Sequence, residues 1–562
     1  MNANAVKTFL FNKNKLFVLL FFLAYFILGT AIFRDYGVSW DELTQRKYGT
    51  VIYRSVIHGT RELDNEYHRY YGPVFEFFNI VLEKLSGLTD PRQILFLRHF
   101  ANFCTFYLGI CFFYLILQRL FRNRLLSITG CLFLILSPRL FASAFYNSKD
   151  IPFLALFIIS MYTMLVFSQK PSLWNGFFHG LATGILTDIR VLGIIIVPLT
   201  LIMNIRYFYH NLTLNPPAKD QKTIVKKLAI FYIKHFLAFF GFYCAFTYLF
   251  WPTLWSNPIQ QFTNAIQQMN HYPWGGTVMY FEKLISAQKL PWHYIPVWIG
   301  ITTPLAYIVL FFIGSFKLVS YTKSFFRHQN QSNAIKNKHE VGVLFAFLWI
   351  GIPMGIVFIS NPTLYDAWRH CFFIYPGLLI FCIIGLIELK RLTNTSKIKF
   401  IWPLFIAIII MNLTSTIFFM VKYHPFQNVY FNQLIGSWKT IRHRFELDYW
   451  HLSYRKGLEY ILKNDKHAKI TILPNNAVGF ILPKDQRKRL NFIELPKKFL
   501  QAPYEMLKFK EPAYLLTTYR WHPDDYNMKK VYSIKVKEAE ILGVYKFKEI
   551  ENERDRMDNN ML

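Results

Sequence analysis

Residues 15–33 read KLFVLLFFLAYFILGTAIF, and no charged side chain interrupts them after Lys15. A helix needs about 20 such residues to cross a bilayer core of about 30 Å. Similar blocks recur at about 95–118, 125–145, 151–168, 173–188, 190–207, 228–250, 294–316, 341–360, 371–389 and 400–421. About eleven transmembrane helices are therefore expected, with 125–145 interrupted by Pro138 and Arg139 and 173–188 short. The first block follows Lys13 and Lys15, but its apolar core is long and no cleavage site is clear. A retained signal anchor is expected rather than a removed signal peptide.

Composition points the same way. Of 562 residues, 53% are hydrophobic, 19% aromatic and only 17% charged. A soluble domain carries about a quarter charged. The net charge of +30 does not indicate nucleic acid, because the basic residues sit in short loops between apolar blocks rather than on one module. Cys104, Cys111, Cys131, Cys244, Cys371 and Cys382 all lie inside apolar stretches, which suits small core residues better than disulfides or zinc.

The basic loops give an orientation. Lys7, Lys13 and Lys15 precede the first block; Arg119, Arg122 and Arg124 follow the second; Arg206, Lys219, Lys222, Lys226 and Lys227 follow the sixth. Lys317, Lys323, Arg327, Lys336 and Lys338 follow the eighth, and Lys390, Arg391, Lys397 and Lys399 the tenth. These are alternate connections, as the positive-inside rule requires of the cytoplasmic face. The others (34–94, 146–150, 188–190, 251–293 and 361–370) are expected outside, and an odd number of crossings places residues 422–562 there as well. In that tail, Lys469–Leu473, Leu490–Leu495, Ala513–Thr518, Val531–Val536 and Ile541–Phe547 read as strands. The expected fold is an all-α polytopic membrane bundle over residues 1–421 with a small extracytoplasmic α/β domain over 422–562.

Nearly all the polar clusters that suggest chemistry fall on outer connections. Ser39-Trp40-Asp41-Glu42 has the pattern of a capping box from Ser39 to Glu42, which leaves Asp41 either as a helix-end charge or as a group facing the membrane surface. Next, in 43–94, Tyr48, Val51, Ile52 and Ile57 alternate with Arg46, Lys47, Arg54 and Arg61 as in a helix lying at the interface. Asn147-Ser148-Lys149-Asp150 precedes a span; Asp150 suits an N-cap or a second acid, and Lys149 needs a partner or a phosphate. Asp188 and Arg190 lie at membrane depth but two residues apart, so they would not face each other on a helix. Arg190 is then available to an anion or to another span. Tyr365-Asp366-Ala367-Trp368-Arg369-His370 offers a local Asp366–Arg369 pair or an arginine for a lipid phosphate. In 251–293, Trp251, Trp255, Trp274, Trp292, Tyr272, Tyr280 and His293 suit interface anchors, and exposed rings would also stack on a sugar or a prenyl chain.

Two acids, cations near membrane depth and aromatic loops suit transfer of a sugar from a lipid phosphate. Phosphate is a good leaving group, so the enzyme needs a carboxylate to take the acceptor's proton and cations to stabilise the departing anion. No cofactor is needed, and a divalent cation is compatible but not required.

At these residues the chain resembles the GT-C superfamily of lipid-phosphate-sugar glycosyltransferases, in the branch of protein O-mannosyltransferases and lipid A aminoarabinose transferases. The likeness covers residues 15–421 as topology, with Trp40-Asp41-Glu42 in the first outer loop and Asp150 as a second outer acid. It implies that Asp41 is the base. His424–Asn432 and Phe445–Trp450 resemble a pattern in uncharacterised bacterial members, to which no role attaches. The chain lacks the luminal β-trefoil insertion of protein O-mannosyltransferases, which weakens a protein acceptor.

The combined expectation is an inverting transferase moving a sugar from a polyprenyl-phosphate carrier to an extracytoplasmic glycan, lipid or protein. Asp41 and Asp150 are the expected catalytic pair, and Glu42, Lys149, Arg190, Arg369 and His370 the expected substrate contacts. The expected partners are that donor, the acceptor and membrane lipid, with no nucleic acid. The expected location is a bacterial inner membrane. A transporter or lipid flippase is the alternative, but it would carry internal repeats and broken midplane helices; a non-catalytic anchoring protein would not gather polar residues at outer span ends.

Overall fold

The computed structural model describes residues 13–214, 221–270, 272–327, 338–394, 400–474, 477–494 and 507–549. Lys7, Lys219, Lys336, Lys397 and Lys399 of the basic loops lie outside these residues.

The helices are α1 (Lys13–Ile32), α2 (Glu42–His58), α3 (Val74–Ser86), α4 (Pro91–Phe121), α5 (Arg124–Ile135), α6 (Pro138–Tyr146), α7 (Asp150–Gln169) and α8 (Leu173–Ile189). They continue as α9 (Ile196–Leu214), α10 (Gln221–Phe250), α11 (Pro258–Asn270), α12 (Tyr294–Thr302), α13 (Leu305–Arg327), α14 (Lys338–Ser360), α15 (Tyr375–Asn394) and α16 (Ile401–Lys422). All eleven expected segments are helical. Eight helices among the described residues are long and apolar enough to cross a membrane, and the α5–α6 pair makes a ninth if its two arms count as one span. The chain is a multi-pass membrane protein.

Proline interrupts two of the eleven segments. Pro138 cannot continue the helix ladder, and α6 leaves α5 at 69°. Ser137 Oγ donates to the Phe133 carbonyl at 2.8 Å, so a carbonyl at the bend is met by a side chain, and Arg139 Nε donates to the Tyr430 carbonyl at 3.0 Å. The expected span at 294–316 is likewise split into α12 and α13 around Pro304. There Asn432 Nδ2 donates to the carbonyls of Gly300 and Thr303 at 2.6 Å each, and Asn412 Oδ1 accepts from the Ala306 amide at 3.2 Å. Broken backbone survives at this depth because these partners replace water. The short α8 is held by close packing: a Cβ on Gly180 would lie 2.6 Å from that of Phe242 on α10.

In the connection 251–293, α11 and a hairpin of β1 (Thr277–Tyr280) with β2 (Lys283–Ser286) replace a simple aromatic loop. Its tryptophans divide: Trp251 is fully buried, Trp255 and Trp292 are exposed, and Trp274 stacks on Tyr365 with ring centres 4.3 Å apart.

The C-terminal module has α17 (Tyr454–Asn464) on a sheet of β3 (Ile470–Leu473), β4 (Leu490–Phe492), β5 (Ala513–Thr517), β6 (Lys529–Val536) and β7 (Ala539–Lys546). The strand order is β4-β3-β5-β7-β6, parallel from β4 to β5 and antiparallel beyond. Alternate β5 residues enter two different clusters: Tyr514 and Leu516 pack with α17, Ala513 and Leu515 with Tyr545 and Phe547. Val38, Leu95 and Phe96 of the bundle join the first cluster, which seats the module at the start of α4. The two unexplained motifs form this seam. Asn428 Nδ2 donates to Asp448 at 3.1 Å, and Asp448 accepts the Leu452 and Ser453 amides at 3.2 and 2.8 Å, at the start of α17.

Candidate active site

The first loop carries Asp41 on a rigid frame. Glu42 accepts from the Ser39 amide at 2.5 Å, as in a capping box, but Ser39 Oγ donates instead to the Tyr146 carbonyl at 3.2 Å. The other Glu42 oxygen meets His99 Nε2 at 2.8 Å. Glu42, expected as a substrate contact, is thus buried and occupied in tying α2 to α4. Asp41 stands at the N-cap position of α2 without making a side-chain cap bond. Its carboxylate is 28% exposed and lies 3.6 Å from Lys149 Nζ. Burial raises its pKa, but Lys149 and Arg369 outweigh that and hold it below the usual carboxylate range.

The second cluster is organised by Asn147. Its Oδ1 accepts the amides of Asp150 and Lys149 at 2.9 and 3.3 Å, so Asn147 caps α7 and the Asp150 carboxylate is released from that duty. Asn147 Nδ2 donates to Asp150 Oδ2 at 2.8 Å. Arg190 bonds Oδ1 of Asp150, and Arg369 Nη1 reaches Oδ2 at 3.0 Å. Asp150 is only 1% exposed, so it is a clamped anion that orients two guanidinium groups.

Arg190 reaches Asp150 because the chain leaves α8 extended there, at φ −149° and ψ 130°. Asp188 turns elsewhere: it accepts the Val74 amide at 2.8 Å and caps α3 from a different helix. Gly72 permits this contact, since a Cβ on it would fall 1.1 Å from the Asp188 carbonyl oxygen. Arg369 forms the expected pair with Asp366, Nε to Oδ2 at 3.0 Å, but Arg369 begins a 3₁₀ turn and Asp366 lies ahead of it, so the two do not share an α-helix. Its guanidinium lies between the rings of Tyr365 and Trp450, 4.8 and 4.7 Å from their centres. Lys149 Nζ lies 4.7 Å from the centre of the Tyr71 ring.

Of these residues, Arg190, Tyr71 and Tyr365 line a cavity of about 580 Å³, with Lys149 and Arg369 behind the two rings. Its walls are apolar, built by Val191–Pro198, Ile266, Met269, Ile356 and Val357, and Ile194, Ile266 and Ile356 are partly exposed at its rim. Tyr71, Arg190, Tyr272, Tyr365 and His370 form its polar end. Arg190 Nε and His370 Nδ1 are buried there without a hydrogen-bond partner. Among the described residues no group of three or more His, Cys, Asp or Glu side chains is placed to hold a metal ion.

The sequence had not singled out four contributors. Asn147 stood in the quoted motif but carries no charge; Tyr71 stood in the long first loop; Glu446 stood in the quoted Phe445–Trp450 motif, to which no role attached; and Arg520 comes from the C-terminal region, where nothing distinguishes it locally. Arg520 bonds Asp366 and donates Nε to Glu446 at 3.2 Å.

No family model matches the chain, and no curated protein matches it. Among solved structures it is similar to ArnT from Cupriavidus metallidurans bound to undecaprenyl phosphate, at 13% identity over 94% of this chain and 98% of that one, TM-score 0.44. The apo state of the same protein gives 13% identity, 94% and 97% coverage and a TM-score of 0.43. An Archaeoglobus fulgidus oligosaccharyltransferase tethered with an acceptor peptide containing the NVT sequon gives 10% identity, 91% and 70% coverage and a TM-score of 0.43.

Proposed function

We propose that this protein is an integral-membrane inverting glycosyltransferase that takes a sugar from a polyprenyl-phosphate carrier. One observation carries the reading: an apolar cavity with exposed isoleucines at its rim ends at Arg190 and His370, with Arg369 and Lys149 behind its Tyr365 and Tyr71 rings and an ionised carboxylate, Asp41, against Lys149. A prenyl chain suits the walls, and a phosphate suits the cations. The acceptor hydroxyl attacks the anomeric carbon as Asp41 takes its proton. The bond from that carbon to the phosphate oxygen breaks, and its electron pair leaves with the phosphate, which the cations stabilise. Attack opposite the leaving group inverts the centre. Asp150 orients Arg190 and Arg369.

The acceptor is an extracytoplasmic glycan, lipid or protein. The site and the C-terminal domain face outward from a bacterial inner membrane in this reading. Lys15, Arg122, Arg124, Arg206, Lys317 and Arg391, at the opposite helix ends, support that orientation.

Binding of undecaprenyl phosphate, compared with undecaprenol, tests the donor assignment. The purified protein should prefer the phosphate, and Arg190→Met should remove most of that preference. Equal binding of both lipids would overturn it.

A further inference from the structure

Arg520 follows β5 in the C-terminal domain, yet its guanidinium belongs to the charge cluster behind the cavity. It bonds Asp366, and it donates Nε to Glu446 and Nη1 to the Tyr449 carbonyl, both at 3.2 Å. The other Asp366 oxygen holds Arg369 Nε at 3.0 Å, and Arg369 Nη1 holds Asp150 at 3.0 Å. Side-chain exposure along this row is 8% at Arg520, 6% at Asp366, 2% at Arg369 and 1% at Asp150, so solvent does little to screen it. A second contact runs in parallel. The Arg520 guanidinium lies 5.7 Å from the centre of the Trp274 ring, and Trp274 stacks on Tyr365, which lines the cavity.

Both contacts converge on the segment 365–369, whose backbone needs holding. Asp366 and Ala367 each have φ of 60°, in the left-handed region, and alanine has no side chain to offset that cost. Such a conformation persists only when its surroundings fix it.

We infer that Arg520 is a positioning residue for the phosphate end of the cavity: by holding Asp366 and Trp274 it fixes the Tyr365–Arg369 segment, and with it the guanidinium of Arg369. The C-terminal domain thereby takes part in donor binding without touching the donor. This rests on the donor reading given under Proposed function. Without Arg520, Asp366 is left to Arg369 alone, and the strained turn loses its clamp.

The test uses the full chain, with undecaprenyl phosphate as probe and affinity and thermal midpoint as paired readouts. R520A should weaken binding about tenfold, a change of about 1.4 kcal/mol. R520K should recover only part of it, because one ammonium cannot reproduce a fork shared among three acceptors. In an R369A background, R520A should add less than about twofold, since its effect passes through Arg369. Equal factors in both backgrounds, or a lowered midpoint with unchanged affinity of the folded protein, would overturn the inference. If R520A does not fold, R520K carries the same cycle. Wild-type protein that fails to bind the probe sinks the donor reading and this inference together; wild-type binding matched by R520A and R520K sinks this inference alone.

Discussion

The Asp41 carboxylate lies 3.6 Å from the Lys149 ammonium, joining the first long loop to the turn that starts α7. Because Lys149 precedes Asp150, one short turn ties the proposed base to the anion that orients Arg190 and Arg369. In the proposed mechanism a base placed this way would reach the acceptor while its neighbours met the leaving group.

That pairing fixes a pH dependence. Burial raises the Asp41 pKa, Lys149 and Arg369 lower it, and the balance is downward. An ordinary Asp titrates near about 3.9, so Asp41 stays ionised throughout the neutral range. Lys149→Met removes the main opposing charge and leaves burial. Its rate profile should gain an acid limb displaced toward neutrality, measured as kcat/KM between pH 5 and 8 with a fixed donor. A profile parallel to wild type would show that Lys149 does not tune Asp41.

Asp150 should behave as a structural anion. It takes bonds from Arg190, Arg369 and Asn147. Asp150→Asn leaves buried guanidinium charge uncompensated, a change that costs about 3–5 kcal/mol. Thermal unfolding in detergent should show a clear drop in midpoint. An unchanged midpoint with lost turnover would instead make Asp150 a direct participant.

Glu446 offers a test of the seam. Burial raises its pKa most; Asp366 adds to this and Arg520 opposes it, leaving the carboxyl pushed up to about 7. An unfolded Glu titrates near about 4.3, so between these values the folded chain holds a proton that the unfolded chain has lost. Its contribution to stability is full below about pH 4.3 and is lost as pH rises through about 7. The fall in thermal midpoint from pH 5 to 7.5 should therefore be shallower in Glu446→Gln than in wild type. Equal slopes would contradict this.

Much of the fold was legible because membrane spans need long apolar runs, and residues 15–33 or 371–389 leave no other interpretation. The break inside the expected span at 294–316 was not legible, because hydropathy does not register a break whose exposed backbone groups are met by Asn412 and Asn432 from distant segments. At the site, Asp41, Lys149, Arg190 and Arg369 stood out as charges beside apolar blocks. What could not be read was pairing. Sequence spacing separated Asp188 from Arg190 correctly, but only the fold brings Arg190 to Asp150, across 40 residues, and Arg520 to Asp366, across 154. Glu42 looked like part of the chemistry because it adjoins Asp41; its partner His99 lies on another helix.

The most direct measurement is sugar transfer from a labelled polyprenyl-phosphate donor by wild type, Asp41→Asn and Glu42→Gln. Asparagine keeps the size of Asp41 but cannot take the acceptor's proton, so transfer should fall by about 10²–10⁴-fold while undecaprenyl phosphate binding and folded yield hold. Glutamine at residue 42 can still accept from the Ser39 amide, and that variant should remain substantially active. An Asp41→Asn protein that transfers sugar at the wild-type rate would contradict the assignment of Asp41 as the base.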